Sequence, residues 1–212
     1  MTIQHQHGHG ILFGLGTGRC GTSSLSTLLN GQPDTVCFHE LNPSGMAWGG
    51  AENTVHSLMR DFMAILEGQN RAVTADLVSP NRLAPLPRLK RLRHVSSLGD
   101  VASYYLPYVR IILHRWPEVR FPCLRRDRSQ VVESFVQKLA STTSQSSRNH
   151  WASPNDLRWK RDPIWDRCFP HFDNMAHKTL QAYVGQYYDM YYDEVERLIR
   201  KYPQNIRIFD TT

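Results

Sequence analysis

Apolar positions along the chain fall into short runs and helical stripes that alternate. ILFGLG at 11–16 is a brief apolar run ending in glycine and reads as a buried strand. TSSLSTLLN at 22–30 puts Leu25, Leu28 and Leu29 at helical spacing, and GQPD stops that helix. TVCFHE at 35–40 reads as a second strand. Residues 52–67 suit a helix with Val55, Leu58, Met59, Phe62 and Leu66 on one face. RAVTADLV at 71–78 reads as a short strand, and 80–93, rich in Pro, Arg and Leu, as loop or broken helix. The helical pattern of 102–116 is interrupted by Pro107. VRFPCLRR at 119–126 is the next strand, and 128–141 a helix with Val131, Val132, Phe135, Val136 and Leu139 inward. Residues 141–172 are polar and read as a long surface segment of the kind that forms lids or binding loops. A tyrosine-rich helix over 175–201, its rings expected to pack rather than bind sugar, precedes a last strand, NIRIFD at 205–210.

Strands alternating with helices predict an α/β fold, a single domain with a largely parallel central sheet flanked by helices. Ligands of such sheets sit at the carboxyl ends of the strands. The histidine-rich residues 1–9 read as a disordered leader, leaving 10–212 as the domain. Among 212 residues, 41% are hydrophobic and 21% charged, the balance of a soluble globular protein, and no apolar run is long enough for a membrane span. Cys20, Cys37, Cys123 and Cys168 form no CxxC pair, which argues against a zinc site or disulfide framework. With no signal-peptide pattern, free thiols point to the cytoplasm. The net charge of +6 favours anionic ligands: nucleic acid, a phosphorylated cofactor or an acidic lipid surface.

The stretch ILFGLGTGRCGTSSLSTLL at 11–29 selects among these. Gly16, Gly18 and Gly21 permit a tight turn and close approach of backbone to ligand. The helix starting near Thr22 turns its free N–H groups and positive dipole end to an anion. Thr22, Ser23 and Ser24 add hydroxyls. Gly16 to Ser23 follows the P-loop pattern GxxxxG-x-[ST], with Thr22 where the lysine belongs and Arg19 as the cation. No Walker-B aspartate follows an apolar strand, so ATP hydrolysis is disfavoured.

GTGRCGTSSL resembles the 5′-phosphosulfate loop of sulfotransferases, which use 3′-phosphoadenosine 5′-phosphosulfate (PAPS) as sulfuryl donor. The resemblance implies a P-loop NTPase-like architecture and a donor loop running through Arg19, Cys20, Gly21, Thr22 and Ser23. Arg19 would touch the phosphosulfate bridge, and the backbone N–H groups of Gly21, Thr22 and Ser23 the 5′-phosphate. LRRDRSQVVESFVQK is similar to the family's second motif, an arginine ending a strand and a serine eight residues on, which grip the 3′-phosphate. Arg126 and Ser134 have that spacing, with Lys138 one turn further on the same face. Arg128 stands where the family often has proline. Relatives carry a lysine near SSLGDVA that touches the sulfuryl group; this chain has none, so Arg19 carries more of that load.

The acceptor must lose a proton as it attacks sulfur, and a base within reach helps. GQPDTVCFHE is similar in spacing to a stretch of several sulfotransferase groups that ends in a glutamate, which makes Glu40 the expected general base and His39 its rival. Strand alternation sends these two to opposite faces, so only one is expected to meet the acceptor. Asp100 either lines the cleft or caps the following helix. His150 and Trp151 either cover the donor, hold the acceptor or pack a loop. No metal is required, and nucleic acid is not an expected partner. A P-loop kinase-like phosphotransferase and a non-catalytic binder of phosphorylated nucleotides stay as alternatives. The acceptor (carbohydrate, peptide, lipid or small hydroxyl compound) stays open. The family usually continues with a further helix after the last strand; RIFDTT leaves a compact variant and an incomplete frame as alternatives.

Overall fold

A computed structural model of the chain describes residues 10–43, 45–73, 80–142, 149–152, 162, 165–173 and 179–212. The expected leader, most of RAVTADLV and the first residues of the expected tyrosine helix lie outside these; Arg71–Val73 are described and are not strand. Among the described residues five parallel strands form the centre: β1 (Ile11–Gly14), β2 (Thr35–His39), β3 (Ser97–Val101), β4 (Phe121–Arg126) and β5 (Ile206–Thr211). β3 lies between β1 and β2, with Leu98 opposite both Ile11 and Val36. β4 pairs with β5. Parallel bridges at Leu12–Arg120 and Leu15–Cys123 join the two halves into the order β2-β3-β1-β4-β5. The chain leaves β1 toward β2 and leaves β4 toward β5, so its direction reverses between β1 and β4. Ligands of α/β sheets sit at the carboxyl ends beside such a switch.

Among the described residues six α-helices flank the sheet: α1 (Thr22–Asn30), α2 (Glu52–Leu66), α3 (Leu86–Arg91), α4 (Val109–Arg115), α5 (Arg128–Thr142) and α6 (Leu180–Lys201). The α/β expectation is met. In α2 the buried stripe is Val55, Leu58, Met59, Phe62 and Ile65, with Ile65 rather than Leu66 fully inside. In α5 Val131, Phe135 and Leu139 face inward every fourth residue, while Val132 and Val136 are half-buried. Helix α1 departs from the leucine stripe: Thr22 and Ser26 are buried and Leu28 is 64% exposed. Pro107 sits in a 3-10 turn, Ser103–Tyr108, that leads into α4. The expected surface segment 141–172 is also corrected. Among its described residues His150, Trp151, Ala152, Asp162, Asp166 and Cys168 are buried.

Strand β3 has no counterpart in the hydrophobic pattern. SLGDV carries a glycine and an aspartate at the middle of the sheet. A Cβ on Gly99 would stand 2.6 Å from Leu12 O, so only glycine lets β1 and β3 approach. Asp100 is fully buried and neither lines the cleft nor caps a helix. It accepts from Leu41 N (3.1 and 3.2 Å), Tyr105 OH (2.7 Å) and Tyr104 OH (3.3 Å), and so fixes the chain as it leaves β2.

Burial pushes the Asp100 carboxyl up, and the hydroxyl of Tyr105 and the Leu41 N–H pull it back in part. A carboxyl raised in the folded state binds its proton more tightly there than in the unfolded chain. Its contribution to stability is therefore full below the ordinary value of 3.8 and is lost as pH rises through the folded value. Asp100→Asn cannot ionise. Its unfolding free energy in urea is expected to gain on the wild type as pH rises from that value toward neutrality; a difference flat with pH would contradict a raised Asp100.

Candidate functional site

Two turns at the carboxyl ends of β1 and β4 define the site. Past β1 the chain reaches Gly16 (φ 149°), where a Cβ would lie 2.6 Å from Cys20 Sγ and 3.0 Å from Leu124 O. Gly21 (φ 95°) takes the left-handed conformation at the start of α1 and has no side chain to cap it. No acidic residue occupies the first turn of α1. The free N–H groups there keep their capacity for an anion.

The loop is held from behind by α6. Tyr191 OH accepts from Gly16 N (2.9 Å) and donates to Ser103 O (3.3 Å). Tyr187 OH donates to Thr17 O (3.3 Å), Tyr192 OH to Leu124 O (2.7 Å) and Tyr188 OH to Arg126 O (2.7 Å). Burial pushes all four phenols up, so they stay protonated donors. The tyrosines pack, as expected, and their hydroxyls also fasten both turns. From β5, Thr211 Oγ1 donates to Cys20 O (3.2 Å).

Arg126 ends β4 and α5 follows at once, so Ser134 and Lys138 rise beside it. Arg19 Nε donates to Ser134 Oγ (2.9 Å), and Arg126 Nη1 lies 3.5 Å from Arg19 O. The first motif therefore touches the second directly, across 115 residues of chain. Arg128 begins α5 in the position that favours proline, and it makes a two-point ion pair with Asp189 of α6 (2.7 and 2.8 Å).

These elements wall a cleft of about 400 Å³. Arg19, Gly21, Thr22, Ser23, Arg126, Ser134 and Lys138 all line it, and so do His39 and Glu40. Cys20 does not: its side chain is fully buried beneath the loop, and burial raises its thiol. His39 and Glu40 share the cleft because β2 ends between them. Glu40 adopts φ 53°, which breaks the alternation that would have parted them. His39 Nε2 meets Thr22 Oγ1 at 3.1 Å and so ties the end of β2 to the start of α1. Glu40 Oε2 pairs with Arg82 Nη2 (2.7 Å), and Arg82 Nη1 donates to Glu40 O (2.7 Å). The Arg82 guanidinium lies 4.3 Å over the Trp165 ring. Among the described residues no group of three His, Cys, Asp or Glu could hold a metal ion.

A family model described as the sulfotransferase family matches residues 12–206. The chain belongs to the sulfotransferase family. A solved structure similar to it is a sulfotransferase from Alicyclobacillus acidocaldarius, at 16% identity and TM-score 0.49, covering 94% of this chain and 72% of that one. No curated protein sequence matches the chain.

Several cleft residues escaped the sequence reading, among them Arg82, Trp165 and Phe169. Arg82 sits in a Pro- and Arg-rich stretch where no periodicity marks one arginine above its neighbours. Trp165 and Phe169 come from the polar segment after α5; its aromatic content was the only available signal. Among the described helices none is long and apolar enough to cross a membrane.

The loop's anchorage is testable without any ligand. Tyr191→Phe keeps the ring but leaves Gly16 N without its acceptor. A loss of about 1–3 kcal/mol in stability is expected from urea unfolding. Unchanged stability would show that the hydroxyl does not hold the loop.

Proposed function

We propose that the protein transfers a sulfuryl group from PAPS to a hydroxyl or amine acceptor. The observation that carries this reading is the meeting of two anion grips in one cleft. A nucleoside donor with phosphates at both its 5′ and 3′ positions needs two grips; a nucleoside triphosphate needs one, with a lysine that Thr22 replaces. In this reading the N–H groups of Gly21, Thr22 and Ser23, with the two hydroxyls, take the 5′-phosphate. Arg126, Ser134 and Lys138 take the 3′-phosphate; the forked guanidinium of Arg126 suits it. Cys20 contributes backbone only.

The reaction is an in-line displacement. An acceptor oxygen or nitrogen forms a bond to sulfur, and the bond from sulfur to the 5′-phosphate oxygen breaks. Adenosine 3′,5′-bisphosphate leaves with the electron pair. Arg19 and the helix N-terminus face the negative charge that grows on the leaving group, a fixed arrangement that needs no reorganisation during reaction. The acceptor's proton passes to a base on the cleft wall, which Glu40, His39 and His150 all line.

Calorimetric titration with adenosine 3′,5′-bisphosphate and ATP tests the donor. The bisphosphate is expected to bind more tightly, and Arg126→Ala to weaken it selectively. Tighter binding of ATP would favour a phosphotransferase instead. Arg19→Ala is expected to lower sulfuryl transfer from labelled PAPS by about 100-fold or more while the protein still folds. A fully active variant would remove Arg19 from the mechanism.

A further inference from the structure

We propose that His150, oriented by Asp166, is the group that takes the acceptor's proton. This rests on the sulfuryl-transfer reading above and assigns the base within it. His150 Nδ1 lies 2.8 Å from Asp166 Oδ1, and both side chains are more than nine-tenths buried. Asp166 is itself fixed, because its Oδ2 accepts from Asp162 N (2.6 Å). The imidazole stacks on Phe169 (centroids 5.3 Å apart, planes 11° apart) and meets the edge of Trp151. An ionised carboxylate only accepts, so Nδ1 carries the proton of that hydrogen bond. Nε2 of the neutral ring is then a bare acceptor. No described residue bonds Nε2, and His150 lines the same cleft as Arg19, Arg126 and Ser134.

The two rivals are already engaged. For Glu40 to accept a proton, its carboxylate must lose the charge that pairs it with Arg82 beside Trp165. His39 Nε2 is spent on Thr22 Oγ1 within the phosphate loop. For His150 the balance runs the other way. When the acceptor hydroxyl attacks sulfur, its O–H bond breaks and the proton moves to Nε2. The imidazolium so formed faces Asp166, whose negative charge compensates it in a buried site. The Glu40–Arg82 pair is then a fixed wall that positions the acceptor.

Two measurements decide this. Nitrogen-15 NMR of histidine-labelled protein at about pH 7.5, with His150 assigned by loss of its signals in His150→Gln, reads the tautomer. A single proton on Nδ1 is expected; a proton on Nε2, in the neutral or the charged ring, overturns the proposal. The second is transfer from PAPS to phenol and to 4-nitrophenol at about pH 8. Phenol needs a base, whereas 4-nitrophenol is already largely ionised. His150→Gln is expected to lower kcat with phenol by about 100-fold or more, and with 4-nitrophenol by less than about tenfold. Asp166→Asn is expected to show the same acceptor-selective loss, together with a changed tautomer at His150. Equal losses for both phenols, or a phenol-selective loss in Glu40→Gln instead, would overturn the assignment. Adenosine 3′,5′-bisphosphate should bind all three variants as it binds the wild type. Failure of the bisphosphate to bind the wild type would sink the donor reading, and the tautomer reports on His150 separately.

Discussion

A loop that offers its N–H groups to an anion cannot use them to hold itself together. Here that constraint is met from behind, by hydroxyls of one helix. Tyr191 and Tyr187 of α6 bind Gly16 N and Thr17 O on the β1 side, and Tyr192 and Tyr188 bind Leu124 O and Arg126 O on the β4 side. Each such bond adds only about 0.5–1.5 kcal/mol net, but a buried polar group left without a partner costs more. The long tyrosine helix is thus part of the site's construction although its hydroxyls lie behind the cleft.

The sheet also fixes the distance between the two turns. β1 and β4 are neighbours, bonded through Leu124 N to Leu15 O (2.9 Å), and each ends in one of the two turns that line the cleft. Arg19 spans the remaining gap to Ser134. Arg128 and Asp189 tie the start of α5 to α6, and Gly185 leaves room for that guanidinium, since a Cβ there would lie 2.6 Å from Arg128 Nη2. In the sulfuryl-transfer reading, holding both ends of the donor in fixed register is what would align its central bond for displacement. The cleft gathers charges of both signs: Arg19, Arg126 and Lys138 line it together with Glu40, which is paired with Arg82, and His150, which is paired with Asp166, among aromatic rings.

By itself the sequence determined the alternation of strands and helices, the parallel sheet, and the two motifs that meet in the cleft. These are local features. A glycine pattern before a helix start, or an arginine and a serine on one helical approach, keeps its meaning whatever packs around it. Strand β3 was not legible, because its middle residues are a glycine chosen for close approach and an aspartate made tolerable by donors from Leu41, Tyr104 and Tyr105. The leucines of α1 misled for a related reason: Thr22 and Ser26 face the sheet, and Leu28 faces solvent.

How the rest of the cleft wall comes together was decided by the tertiary structure alone. Its residues come from positions 39–40, 82, 150, 162, 165 and 169, which no single periodicity connects. Glu40 enters the cleft beside His39 only because its backbone turns left-handed where β2 ends. His150 acquires a carboxylate partner only when a segment that reads as polar surface folds inward. The two turns follow from backbone geometry that short motifs encode; the rest of the cleft wall follows from side chains brought together across long separations, which only packing can specify.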